Sequence, residues 1–261
     1  MRIGKQDNAV TAICTSDATS ITVRGMDLCD EVIGKVDFTS YFWLLVTGTL
    51  PSAPQKALAD AVLCAIAEHG LVPSVVATRM TYAAAPEAFH GAVAAGLLGC
   101  GSVVLGSAEV AGKFYAEVVA QVEADGSDPA AAATAAIKAL RAEKKVIPGF
   151  GHPQHSGGDP RAHRLLALAK EHGMERKHIA MLRTIEAVLP DAIGRSLPIN
   201  VNGAIPAVML DAGFPLAALK GISLLARTAS LIAHLQEETE NPIGFIMSGA
   251  AAERIGFQSD S

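Results

Sequence analysis

From Asp27 onward, in "DLCDEVIGKVDFTSYFWLLVTGTLPS", apolar and polar positions recur with the 3.6-residue repeat of amphipathic helices, and Gly and Pro interrupt the repeat. The first helix starts at Phe38-Thr39-Ser40 and should end near Gly48, because Pro51 cannot continue it. "APQKALADAVLCAIAEHG" predicts a second helix stopped by Gly70. "PSVVATRMTYAAA" and "EAFHGAVAAGLLGCGS" predict two more, rich in small residues that allow close packing. "AEVAGKFYAEVVAQVEADG" and the capped "DPAAAATAAIKALRAEKK" follow. After the non-helical Pro148–Arg161 come "RAHRLLALAKEHG", "HIAMLRTIEAVLPDAIG", "VNGAIPAVMLDAG", "PLAALKGISLLARTASLIAHLQEETE" and a tail. Residues 10–25, with their β-branched side chains, predict a short hairpin or extended arm. Neither a Rossmann-type alternation nor an internal repeat is present, so the fold class is all-α, with roughly ten or more helices.

Composition agrees. The chain has 261 residues, 50% of them hydrophobic, 18% charged and 5% aromatic. This excludes disorder and suits one large or two small packed domains. A net charge of −5 without a long basic run argues against a nucleic-acid surface. The apolar stretches are broken by Gly, Ser or Thr and read as too short for a membrane span, and no signal peptide opens the chain. A cytoplasmic protein is expected. None of Cys14, Cys29, Cys64 and Cys100 has metal-ligand spacing, so no metal is expected; Cys64 and Cys100 read as buried thiols.

Candidate chemistry gathers at a few charged positions. His69 is placed in the last turn of its helix, where an imidazole complements the helix dipole. Ser74 is placed to cap the next helix, and Arg79 stands alone in an uncharged run that calls for an anionic partner. His152 sits in Gly-Phe-Gly-His, a loop whose glycines permit sharp turns and close approach to a ligand. An imidazole presented there can exchange a proton with a substrate oxygen near neutral pH. Asp159-Pro160 fits a cap and first turn, leaving Arg161 to grip a carboxylate bidentately. Arg227, inside "GISLLARTASLIAHLQEE", pairs with a buried acid or points into a cavity. Asn202 opens a helix, where an N-cap is its default role.

Taken in order, the histidine closing a helix, "SVVATR", "PGFGH…DPRAHRLLALAKE", "NVN" and "ARTASLIAHLQEE" resemble the citrate synthase superfamily over nearly the whole chain. The start "AICTSDATSITVRGMDL" and "GFGHP" are similar to the citryl-CoA lyase branch, akin to the lyase module of ATP-citrate lyase. The resemblance implies a large helical domain, residues 1–107 and 199–261, with a small domain inserted at 108–198 that closes over a site built in a homodimer or higher oligomer. It implies that His152 meets the substrate carbonyl or hydroxyl oxygen, that Arg161 and Arg227 hold carboxylates, and that His69, Ser74 and Arg79 complete the substrate set. Gly149 and Gly151 would bring the loop to an acyl-CoA, with Lys144 and Lys145 nearest its phosphates. Coenzyme A, as part of substrate and product, is the implied cofactor.

Three departures bear on the reaction. Val104 falls where synthases carry an enolate-binding histidine, which favours a lyase. Asn202 replaces the aspartate base of "NVD", and Gly244 falls near the position of a tail arginine. The expected activity is therefore cleavage of citryl-CoA or a related 3-hydroxy-3-carboxyacyl-CoA. The alternatives are citrate or methylcitrate synthesis, or a catalytically weak CoA-ester-binding member. Water, His155 or His90 would supply the proton that the enolate needs.

Overall fold

A computed structural model describes residues 9–101, 103, 105–151 and 158–258. Among these residues the chain forms eleven α-helices and three short strands, so the all-α expectation holds. His152, His155 and Val104 lie outside the described residues.

The chain divides into two compact units, Met1–Asp60 and Ala61–Ser261. In the first, β1 (Cys14–Ser16), β2 (Ile21–Val23) and β3 (Met26–Asp27) form an antiparallel meander, with Thr15 opposite Thr22. Asp17 closes the β1–β2 turn by accepting the backbone N–H groups of Thr19 and Ser20 and both their hydroxyls. Those bonds hold its pKa down at about 2. A π-helical turn, Leu28–Val32, leads to α1 (Phe38–Thr47). Asp37 caps α1 by accepting from Ser40 N at 3.0 Å, and Gly48 ends it in the left-handed conformation, as the Gly-Thr-Leu-Pro signal predicts.

Helix α2 (Ala53–Ala67) begins in this unit and runs into the second. There α3 (Pro73–Ala84), α4 (Phe89–Leu98), α10 (Leu219–Glu240) and α11 (Gly244–Arg254) pack together. A β-carbon at Gly96 would lie 2.0 Å from Thr78 Oγ1 and 2.7 Å from the Ser74 carbonyl oxygen, so the small residues of α4 do bring it close to α3. The second group, α5 (Ser107–Asp125), α6 (Pro129–Ala142), α7 (Pro160–Glu171) and α8 (Lys177–Ile193), surrounds or adjoins α9 (Val201–Asp211). Asp211, fully buried, locks α9 to α8 by accepting the backbone N–H groups of Arg176, His178 and Ile179 and bonding His178 Nδ1 at 2.9 Å.

Several expectations change. Cys64 is exposed, because Leu58, Val62 and Ile66 take the inward stripe of α2; Cys100 is buried as expected. The tail, left unassigned by the pattern, forms α11, and Glu238 Oε1 accepts the backbone N–H of its first residue, Gly244, and that of Ile243. Leu216–Glu240 is long and apolar enough, by length and composition, to span a membrane. It nevertheless buries Ser223, Arg227 and Glu238 within the helical group.

Candidate active site

The site is built where the C-terminal end of α2 meets α10. The α2 helix stops at Ala67 because Glu68 turns its carboxylate back: Oε1 accepts the backbone N–H of His69 at 2.8 Å and that of Gly70. Gly70, at φ 74°, completes the turn. His69 therefore lies beyond the helix rather than in its last turn. The other carboxylate oxygen of Glu68 accepts the Ser230 hydroxyl and lies 3.0 Å from His234 Nε2. Burial pushes the Glu68 carboxyl upward, but the bonds from Ser230, Gly70 and His234 outweigh it and hold the pKa below its usual value.

Arg227 lies one turn before Ser230 on the same helix face. Its side chain is buried at 3% exposure, and among the described residues only Nη2 has a hydrogen-bond partner, the Ile66 carbonyl at 3.5 Å. Among the described residues Nε and Nη1 have none. Burial lowers the Arg227 pKa, against the opposing pull of Glu68 and Cys100. The nearby carboxylate of Glu68 is already taken by four donors, and Nε and Nη1 of Arg227 are not among them. A buried cation in this state is costly unless an anion completes it. Ser74 Oγ, Thr78 Oγ1 and Ser223 Oγ are also buried without a hydrogen-bond partner among the described residues. Ser74 is not the cap of α3: Val72 holds that place without a side-chain bond, and Pro73 takes the first helical position.

Arg79, expected on the substrate, instead commits all three nitrogens to the protein. Nε bonds Glu238 at 2.5 Å, Nη1 bonds Glu237 at 2.7 Å, and Nη2 bonds the Asn241 carbonyl at 2.8 Å. The anionic partner that its sequence setting called for is thus Glu238, itself buried, and the pair ties α3 to the end of α10. Gly244 packs against the same pair: a β-carbon there would lie 2.4 Å from Ala83 Cβ and 2.9 Å from the Arg79 carbonyl, so no arginine fits without moving α11.

The glycine loop is anchored to the start of α9. Gly149 O accepts Asn200 N at 3.0 Å, Gly151 N donates to Pro198 O at 2.8 Å, and Phe150 bridges Ile199. A β-carbon on Gly149, at φ 87°, would lie 2.0 Å from the Tyr115 hydroxyl, so this glycine serves close packing of the loop on α5 and α9. Asn200, not Asn202, caps α9: its Oδ1 accepts Gly203 N at 3.1 Å and its Nδ2 donates to Gly151 O at 2.6 Å. Asn202 sits inside the first turn, half-buried, and its side chain has no hydrogen-bond partner among the described residues. Arg161 does make a bidentate contact, but with its own cap, Asp159, at 3.0 and 2.9 Å. Asp159 also accepts the backbone N–H of Val201, joining α7 to α9. Burial raises its pKa, but the bonds from Arg161 and Val201 prevail and lower it. Lys145 pairs with Glu143 on the surface, Lys144 is exposed at φ 57°, and His90 is exposed in the first turn of α4.

Fold and site together describe an all-α protein with an uncompensated arginine buried beside a carboxylate-centred turn. The chain belongs to the citrate synthase family: residues 51–246 match the model of the citrate synthase C-terminal domain. No curated protein matches its sequence. Its structure is similar to citryl-CoA lyase from Hydrogenobacter thermophilus (TM-score 0.84, 27% identity), over 100% of this chain and 96% of that one. It is similar in fold to ATP citrate lyase from Methanothrix soehngenii in complex with citrate and coenzyme A (TM-score 0.77, 20% identity), over 99% of this chain but only 43% of the longer one. Citrate synthase from Thermoplasma acidophilum, in a ternary complex with carboxymethyl coenzyme A and oxaloacetate, shares the fold with a TM-score of 0.66 and 20% identity, over 79% of this chain and 54% of that one.

Proposed function

We propose that this protein is a CoA-dependent carbon–carbon lyase that splits citryl-CoA, or a related 3-hydroxy-3-carboxyacyl-CoA, into an acyl-CoA and a 2-oxo acid. The observation that carries the reading is Arg227, buried, with two nitrogens unpaired among the described residues, and beside the turn that holds His69. Similarity to a citryl-CoA lyase along the full chain supports it. In this reading Arg227 holds a substrate carboxylate and His69 donates a hydrogen bond to the substrate. Arg161 adds its remaining nitrogen, Nη1. Arg79 is left out, since its guanidinium is fully used.

His152 accepts the proton of the substrate hydroxyl as the carbon–carbon bond breaks. The oxygen lone pair becomes the carbonyl of the departing oxo acid, and the bonding electrons pass to the thioester as an enolate. Asn202, free of its helix cap and in the first turn of α9, donates toward the enolate oxygen, where the positive end of the helix dipole also acts. Water gives a proton to the enolate carbon, and the hydroxide left behind takes back the proton held by His152, so no net proton is gained or lost. Residues 108–198 serve as the closing small domain, and the chain works as at least a dimer in the cytoplasm. Incubation with citryl-CoA tests the reading: oxo acid and acyl-CoA should appear in equal amounts. Release of citrate (or methylcitrate) and free CoA from an acyl-CoA and oxaloacetate would favour the synthetic alternative. Binding without turnover would favour a CoA-ester-binding role.

A further inference from the structure

We infer that Glu68 and His234 form a positioning clamp for the anion site, an inference that rests on the substrate reading above. Glu68 sits between two sets of donors. Oε1 closes the His69-Gly70 turn, and Oε2 is held by Ser230 and His234 from α10. Arg227, Ser230 and His234 follow one another at helical spacing along one face of α10. The carboxylate therefore fixes His69 at a set distance along α10 from the Arg227 guanidinium. Because four donors occupy its oxygens, it is also held back from neutralising Arg227 itself.

His234 is fixed from its other side. Its ring is 15% exposed, and Nδ1 lies 3.5 Å from Arg79 Nη1 and 3.9 Å from Glu237 Oε2. A carboxylate only accepts, so Nε2 is the donor to Glu68. The strut of Arg79 with Glu237 and Glu238 thus sets the ring that sets the carboxylate. His234 and Glu68 are positioning residues, acting through the turn and through Arg227.

Substitutions that keep or remove the Nε2 donor test this. A glutamine at 234 reaches as Nε2 does, an asparagine as Nδ1 does, and alanine reaches nothing. Two readouts are needed: equilibrium binding of citrate, and amide hydrogen exchange across residues 68–70, which requires no ligand. His234→Ala and His234→Asn should weaken citrate binding roughly tenfold, the scale of one lost hydrogen bond to a charged group, and His234→Gln should remain within about threefold of the parent. KM for citryl-CoA should rise with them while kcat changes less. Exchange at 68–70 should accelerate in the Ala and Asn variants and return toward the parent in Gln. Glu68→Gln should behave like His234→Ala, and the double variant should be no worse than either, as expected of one unit. Unchanged exchange at 68–70 in His234→Ala overturns the clamp, as does an equal loss of citrate binding in the Gln and Ala variants. If the parent itself fails to bind citrate, the substrate reading falls, and the exchange measurement still decides the clamp.

Discussion

Two buried arginines in the same helical group should respond oppositely to the same substitution. Arg79 and Arg227 are 2% and 3% exposed. Arg79 balances the buried carboxylate of Glu238 and donates from all three nitrogens. Arg79→Met leaves Glu238 without its cation, a loss of about 3–5 kcal/mol for a broken buried pair. Arg227 has one long bond and two unpaired nitrogens. Arg227→Met keeps an apolar stem of similar length, removes a desolvated charge that one long bond and the pull of Glu68 offset only in part, and should stabilise the ligand-free protein by about 1–2 kcal/mol. At about 2–4 °C per kcal/mol for a chain of this size, the midpoint should rise by about 2–8 °C. Thermal and urea unfolding at one protein concentration, without ligand, measures both. If Arg227→Met lowers stability by more than about 1 kcal/mol, or both substitutions cost the same, Arg227 is paired and the reasoning fails.

Asn202→Asp restores a carboxylate where the family carries its base, and should modestly raise deuterium uptake by the acyl-CoA α-carbon with little net condensation; equal uptake removes Asn202 from the site. Asn200→Ala should destabilise by about 1 kcal/mol or more, measured by urea unfolding, since it loses both the α9 cap and the tie to Gly151. Asp159 and Asp211 have folded-state pKa values below the usual carboxylate value, because their hydrogen bonds outweigh burial. Their contribution is whole above about pH 4 and is lost as pH falls through the depressed folded values, so Asp211→Asn should flatten the acid arm of the stability–pH curve. Light scattering should find at least a dimer at micromolar concentration; a stable, active monomer would count against a shared site.

The helices were legible because periodicity and Gly or Pro punctuation act locally. What escaped was set by longer-range pairing or by geometry. Arg79 announced a need for an anion, but Glu238 lies 159 residues away and nothing in the local pattern selects it. "INVNGA" offers two asparagines, and only the bond from Gly203 N identifies Asn200 as the cap. Ser74 looked like a cap because it opens a helix, yet Pro73 shifts the boundary so that Val72 takes that place. Glu68 was passed over beside the more conspicuous His69. The signal that could have found it was a glutamate at a helix end together with Ser230 and His234 four residues apart on an apolar helix. The tail was left unassigned, and in the structure Gly244 opens α11 there and packs it against α3.

The central claim is that the site around Arg227 cleaves a citryl-CoA-like thioester, and release of 2-oxo acid from citryl-CoA measures it most directly. The parent should release oxo acid and acyl-CoA together. Arg227→Met should remain folded and lose the reaction through a KM raised by the equivalent of about 2–5 kcal/mol, the cost of a lost desolvated charge contact. Oxo-acid release at the parent's rate from the folded Arg227→Met variant, or none from the parent, would contradict the account.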